Sequence, residues 1–467
     1  MGQHTIEKIG GTSMSRFGEV MNNVIIGKRK GAELYNRAFV VSAYSGITNA
    51  LLEDKKTGAP GVYGYILHDS KEWEYALEVV REKMLAYNKS FAGIGLDVKK
   101  ADDFVNDRLD GIKSCLKYIM YLRTAGHSKP ADYLPSTREF LAAVGEAHSA
   151  FNSALILKAN GVNARFVDLS GWMSMEVQTL DQAILNAFKD VDFATEMPIV
   201  TGYVKYDEGI MRHFDRGYSE ITFSRLAVLT QAREGIIHKE FHLSTGDPKL
   251  MGVDKVKIIG NTNFDIADQL SDMDMEAIHS KAAKDMELRN IPIRIKNAFD
   301  PEHPGTLISR DYVSPVPRAE MICGRSDLIA LEVHDPEMVG EIGYDYKLCR
   351  CLADFGISYI AKNTNANTIT NYVPQKAKNL EECKAALRRE FPHATVSTQP
   401  VAIVSVIGTN MKIPGFLARA SKALYEADIN VLALDQVMRQ VNIQFIVSRD
   451  DFKKAQIALH REFVEKA

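Results

Sequence analysis

The stretch EKIGGTSM, residues 7–14, decides how the rest of the chain is read. The run HTIEKIG (4–10) reads as a buried strand that delivers a lysine, Lys8. Two glycines, Gly10 and Gly11, and the hydroxyls of Thr12 and Ser13 follow. The chain then passes at once into a helix with Met14, Phe17, Val20, Met21, Val24 and Ile25 on one face. Two readings are open. One is an anion site, in which a glycine turn lets an anion approach the free N–H groups at a helix start. The other is an ordinary strand-to-helix turn.

Working outward, RAFVVSAY (37–44) is a second apolar strand and completes a βαβ unit. Further strand candidates are VNARFVDL (162–169), MPIVTGYV (197–204), GIIHKEFHL (235–243), KVKIIG (255–260) and IPIRIKNAF (291–299). A helical stretch covers roughly 71–126, and DKKTGAPGVYGY (54–65) reads as a mobile flap before it. Strands alternating with helices imply a mainly parallel sheet sandwiched by helices, with ligands at the carboxyl ends of the strands. The prolines and glycine of NAFDPEHPGTLIS (297–309) close this region, so a first domain is expected over 1–309.

Beyond it the units shorten and repeat. DLIALEV (327–333), a helix near 343–355, ISYIAK (357–362), TITNYV (368–373) and a helix 376–391 form one set. VAIVSVIG (401–408), a helix 414–427, INVLALDQ (429–436), VNIQFIV (441–447) and a helix near 450–464 form the next. Self-similarity of this kind marks two small α/β modules, expected over 316–399 and 400–467. A complete module of order βαββαβ needs one more strand than the second repeat contains. Strands such as ATVSTQ (394–399) or EMICG (320–324) are therefore expected to complete sheets across the repeat boundary.

Composition bounds the function. At 467 residues the chain should form roughly three domains of about 150 residues each. With 57 Lys+Arg against 60 Asp+Glu, a net charge of −3 offers no global field for nucleic acid or an acidic membrane. No apolar run of about 18 residues suggests a membrane span. The five cysteines are scattered, without paired zinc spacing, and read as reduced packing residues of a cytoplasmic protein.

Four polar loops combine glycine, hydroxyls and one charge: KIGGTS (8–13), SAYSGIT (42–48), GEAHSA (145–150) and DRGYSE (215–220). Each is read as following a strand or opening a helix. Lys8 and Arg216 supply cations, and Glu146 and Glu220 supply anions, in places where they could meet a zwitterion. Together with the later T-x-DP, these motifs resemble those of aspartokinases, members of the amino-acid-kinase fold family. The repeats resemble ACT modules, above all VSVIGTNMKIPGFLARASKALYEADINVLALDQ (404–436). The likeness covers nearly the whole chain and is strongest to the branch linked to the osmolyte ectoine.

The resemblance implies ATP-dependent phosphorylation of the L-aspartate side chain to 4-phospho-L-aspartate. ATP and Mg²⁺ would be used, with no dedicated protein cage for the metal. Lys8 and Glu220 would be catalytic. Lys8, Gly10, Gly11, Ser13, Thr245, Asp247 and Lys249 would hold the nucleotide, and Thr48, Glu146, Arg216 and Ser219 the substrate. A homodimer through 316–467 is implied as well. This chain departs from the family pattern at Tyr218 and Glu220, where Gly and Asp are usual, in EFHLSTGDPK (240–249), and at Glu276 in place of a lysine. The departures at 239–249 and 276 keep a catalytically weak ACT-containing regulatory protein in view. Because fold alone does not set the substrate, a kinase of the same fold acting on another amino acid such as glutamate stays in view as well.

Overall fold

The computed structural model describes residues 2–127, 129–214, 217–273, 275 and 278–466. Its contacts divide the chain into one unit of residues 1–242 and 278–310 and a second of residues 243–277 and 311–467. Residues 243–277 thus group with the C-terminal half, although the sequence places them inside the 1–309 span. Backbone contacts carry the grouping, since Ile322 N–H donates to the Thr245 carbonyl at 2.8 Å.

The first unit is built on a sheet with β1 (Thr5–Ile9) at its centre. β2 (Arg37–Val41), β3 (Ala164–Val167), β4 (Met197–Thr201) and β5 (Glu234–Lys239) run parallel to it in the order β3-β4-β2-β1-β5. β6 (Asn261–Asn263) falls in the second unit. β7 (Ile293–Asn297) continues the sheet beyond β5 in parallel, and β8 (Thr306–Ser309) pairs with β7 antiparallel. The chain leaves β1 toward β2 on one side and reaches β5 on the other. A crevice at the carboxyl ends of β1 and β5 follows from that reversal.

The longest covering element is the helix Pro130–Ala159. Among the described residues it alone is long and apolar enough to cross a membrane, yet 83% of its apolar window is buried inside the protein. Here three expectations change. GEAHSA (145–150) lies in the middle of this helix rather than at a start. Its Gly145 allows close approach to the loop after β2, because a Cβ would sit 2.9 Å from the Ala43 Cβ. KVKIIG (255–260) forms no strand and makes only an isolated bridge, Ser244 to Ile258. Its backbone meets residues 243–245 through two hydrogen bonds, Thr245 N–H to the Lys257 carbonyl and Ile259 N–H to the Leu243 carbonyl, both at 2.9 Å, a single bridge too short to make a strand. The segment 54–65 is likewise not all loop, since the helix Val62–Leu67 occupies its end.

The second unit contains a sheet of order β10-β11-β9-β12-β14-β13, antiparallel throughout. Its strands are β9 (Met321–His334), β10 (Ala361–Thr364), β11 (Thr368–Pro374), β12 (Thr395–Ile407), β13 (Val431–Asp435) and β14 (Asn442–Ser448). β9 and β12 are long enough to serve both repeats. Leu328–His334 pairs with β11 and with Thr395–Val401, whereas Met321–Arg325 pairs with Ile403–Ile407, which also pairs with β14. Each repeat packs its own core. The helices Tyr344–Asp354 and Leu380–Glu390 bury Leu348, Leu352 and Leu387 in the first, and Phe416–Glu426 and Phe452–His460 bury Leu424 and Leu459 in the second.

Candidate active site

Lys8 is the penultimate residue of β1, and strand alternation turns it to the face opposite Glu7 and Ile9. On that face the helix Tyr218–Leu229 brings Glu220, whose Oε1 lies 3.2 Å from Lys8 Nζ. The other oxygen of Glu220 accepts the His279 N–H at 2.6 Å. Burial by itself raises the Glu220 carboxyl, but Lys8, Lys239 and the His279 N–H outweigh it and hold the group below its ordinary value. The carboxylate form of Glu220 is therefore favoured, and its 3.2 Å contact fixes the position of the Lys8 side chain.

The two glycines after β1 do different things. A Cβ on Gly11 would lie 2.5 Å from the Ala43 carbonyl oxygen, so Gly11 lets the helix start pack on the loop after β2. Ser15 Oγ secures the same junction by accepting the Ser45 N–H at 2.8 Å. Gly10 faces open space, its nearest neighbour being Glu240 Oε1 at 4.0 Å from a Cβ position. Ser13 Oγ donates to that Glu240 oxygen at 2.7 Å. Both readings of GGTS thus have a residue: Gly11 serves the turn, and Gly10 leaves room beside a helix start.

Glu146 closes the site from the long helix. It is 3% exposed, and its Oε2 has no hydrogen-bond partner among the described residues. Burial pushes its carboxyl well above the ordinary value, against the pull of Lys8 and of the Tyr203 backbone N–H. Gly202, just after β4, makes room for it: a Cβ there would lie 2.6 Å from Ser219 Cβ and 2.8 Å from Glu146 Oε2. Ser219 Oγ and Ser42 Oγ are 3.1 Å apart, and Ser149 Oγ donates to the Ser42 carbonyl at 2.9 Å. The loops after β1, β2 and β4, the long helix and the helix after Gly217 therefore converge on one small polar space.

Of the residues singled out in the sequence, Lys8, Gly10, Gly11, Ser13, Glu146, Ser219 and Glu220 belong to this space. Thr48 stands half-buried on the first turn of the helix Ile47–Leu51, beyond the same loop. Arg216 and Glu276 lie outside the described residues. Thr245, Asp247 and Lys249 belong to the second unit. There the Thr245 hydroxyl lies 3.2 Å from His460 Nε2, and Asp247 caps a short helix by accepting the Lys249 N–H at 2.9 Å. Sequence reasoning had Ser42 within the loop 42–48 without giving it a role, and passed over Gly202, Glu240 and the His279 N–H. Ser42 and Gly202 follow apolar strands directly and Glu240 follows one in a Lys-Glu pair, which is a usable signal. The His279 amide carries none.

Two family profiles match the chain: the amino acid kinase family over residues 3–297 and the ACT domain over residues 404–463. The aspartate kinase Ask_Ect of Stutzerimonas stutzeri strain A1501 is 48% identical over 464 residues, 99% of this chain and 98% of the relative. The aspartokinase of Saccharomyces cerevisiae is 23% identical over 99% of this chain and 93% of its own length. The chain belongs to the amino acid kinase family, on its aspartate kinase branch. Solved structures share the fold. The Clostridium acetobutylicum aspartate kinase superposes with a TM-score of 0.73 at 18% identity, covering 98% of this chain and all of that one. Escherichia coli aspartokinase III, in complex with aspartate and ADP, gives 0.72 at 18% identity over 98% of this chain and 99% of its own.

Proposed function

We propose that this protein transfers the γ-phosphoryl group of ATP to the side-chain carboxylate of L-aspartate, giving 4-phospho-L-aspartate and ADP. The full-length relative at 48% identity supports the reaction. The observation that carries it in this chain is Glu146, a buried carboxyl with an unpartnered oxygen in the same space as Lys8. An α-ammonium entering there supplies the missing partner and favours the ionised carboxylate. Arg216 is assigned to the α-carboxylate, Thr48 and Ser219 to further hydrogen bonds.

The aspartate side chain is already ionised at neutral pH, so no general base is needed. A carboxylate oxygen forms the new bond to the γ-phosphorus as the bond to the ADP oxygen breaks. Lys8 neutralises charge gathering on the transferring group, and the open side of Gly10 admits phosphate oxygens to the helix start. Glu220 acts through Lys8 and is a positioning residue. No group of three or more metal-ligating side chains occurs among the described residues. Mg²⁺ bound with ATP would supply charge neutralisation, held mainly by phosphate oxygens and water, with Glu240 as the hard oxygen donor beside Gly10. Thr245, Asp247 and Lys249 are assigned to the nucleotide.

Trapping the acyl phosphate with hydroxylamine tests the proposal. Hydroxamate formed from aspartate, ATP and Mg²⁺, in excess over that from glutamate, supports it; no hydroxamate at high enzyme concentration overturns it and leaves a regulatory protein. The proposal includes a cytoplasmic homodimer assembled through residues 316–467. Its support is the apolar surface of that region, including Ile342 at 95% and Met438 at 91% exposure. Sedimentation of a monomer at micromolar concentration overturns the dimer.

A further inference from the structure

On the face of β1 opposite Lys8, the sheet carries a second concentration of charge. Glu7 Oε1 accepts Arg37 Nε–H at 2.6 Å, and Glu7 Oε2 accepts Arg37 Nη2–H at 3.0 Å. Arg37 spends further donors on the carbonyls of Val24 and Ile25 at 2.9 and 2.7 Å. This guanidinium is therefore engaged on three sides by its own protein. Around it stand Arg29, Lys296 and Arg233, for which the first unit provides much less. Arg29 donates to the Val24 carbonyl at 3.0 Å and Lys296 to the Pro301 carbonyl at 3.2 Å. Neither contact is to a carboxylate. Burial first, then the neighbouring arginines, depresses both cations, with Glu7 pulling the other way.

These groups line connected space. A cleft of about 540 Å³ opens at the amino ends of the strands, where Thr5 and Arg37 begin β1 and β2, with Arg29, Arg233 and Tyr35 on its walls. It shares Glu7, Arg29, Arg37 and Ile236 with an inner chamber of about 70 Å³ that reaches His238 and Lys296. His238 is 4% exposed. Its Nε2 lies 2.7 Å from Glu7 Oε2, and its Nδ1 is buried without a hydrogen-bond partner among the described residues. Among the described residues, the one other acid on these walls, Glu33, is exposed at the rim, where it accepts the Lys30 N–H at 3.4 Å. Three arginines and a lysine thus face two carboxylates, one of them already committed to Arg37.

We propose that this cleft and its inner chamber bind a small oxyanion-bearing molecule, its phosphate or carboxylate group received by Arg29 and Lys296, at a site separate from the one around Lys8. A planar guanidinium with donors to spare and an ammonium with two unspent hydrogens match such a group. The cleft outside leaves space for the rest of the molecule. Because β1 carries Glu7 on this face and Lys8 on the other, an anion here would sit directly behind the catalytic strand.

Thermal unfolding of the full-length protein tests this, with inorganic phosphate and, in a second arm, succinate titrated against chloride at equal ionic strength. At about ten times its dissociation constant, a bound anion raises the midpoint by roughly 3 °C. The shift should saturate, persist in Lys8→Ala, and disappear in Arg29→Gln or Lys296→Gln. The arm that responds identifies the group. Two variants are used so that one failing to fold leaves the other. The proposal is overturned when neither anion shifts the wild type, when the shift survives both Arg29→Gln and Lys296→Gln, or when Lys8→Ala abolishes it.

Discussion

Glu7 and Lys8 are neighbours on one strand, Glu7 buried and Lys8 partly so, both paired, and the two pairs are finished to different degrees. Glu7 meets Arg37 through two hydrogen bonds and His238 through a third, and Arg37 is further held by two main-chain carbonyls. Lys8 meets Glu220 through one contact at 3.2 Å, with the unpartnered Glu146 oxygen in the same space. A buried ion pair satisfied on every side is a structural fixture, because removing one partner strands the other charge. A pair left with spare donors and an open glycine beside it can exchange its interactions with a ligand's. The difference lies in the number of partners each neighbourhood provides, since the residue types are alike.

The comparison breaks if the two pairs respond alike to truncation. Glu7→Ala should cost about 3–5 kcal/mol of stability, because Arg37 is left buried without its carboxylate; urea unfolding measures it, and a loss near zero would put the two pairs in one class. Lys8→Ala should lower kcat by about 10²–10³-fold, with KM for aspartate and the unfolding midpoint nearly unchanged. A main effect on KM would remove Lys8 from the phosphoryl group.

Acid sharpens the same contrast. Burial lowers His148 to about 3 and, together with Arg233, His4 to about 4, and burial also lowers His238, Glu7 pulling it the other way. A group whose folded value is depressed binds its proton first in the unfolded chain. These histidines therefore contribute stability that is complete above pH 6.5 and lost as the pH falls, by about 1.4 kcal/mol per pH unit for each. Glu7, also held below its ordinary value, adds to the loss below about pH 4.5. Denaturant midpoints that stay flat from pH 7 to 5 would contradict this. For the substrate side, Glu146→Gln should raise KM for aspartate about tenfold, roughly 1.4 kcal/mol, and narrow its preference over succinate.

The smallest effect comes from the C-terminal repeats. Asn371 and Phe445 are the fourth residues of β11 and β14, matching positions of the two modules. Both are buried, yet neither side-chain polar atom of Asn371 has a partner among the described residues. Asn371→Leu should therefore stabilise the protein by about 1 kcal/mol. A destabilisation would show that the amide serves an unseen hydrogen bond.

Much of the candidate site was legible because its residues terminate strands or open helices. Lys8, Gly10, Ser13, Ser219 and Glu220 stand where an apolar run stops or a helix starts, and topology carries such ends to one edge of the sheet. GEAHSA was legible as chemistry but misplaced: a helix interior gives no punctuation, and only the packing of Gly145 on Ala43 brings Glu146 to the same edge. KVKIIG misled because a strand period is necessary for a strand and not sufficient. The interleaving of β9 and β12 was legible as a missing strand, through counting.

By itself, then, the sequence determined most of the elements and which way they face, KVKIIG and the placement of GEAHSA excepted, since alternation and helical periodicity are local consequences of backbone geometry. The family was legible too, through the resemblance of its motifs and their order to those of aspartokinases. Tertiary structure decided what each charge is for. Glu7 and Lys8 are indistinguishable in the string as one acid and one base inside an apolar run. Their fates part only when Arg37, thirty residues on, and Glu220, more than two hundred residues on, are folded against opposite faces of the same strand. Whether a buried charge is spent or available depends on every donor within about 3 Å of it, and that census exists only in three dimensions.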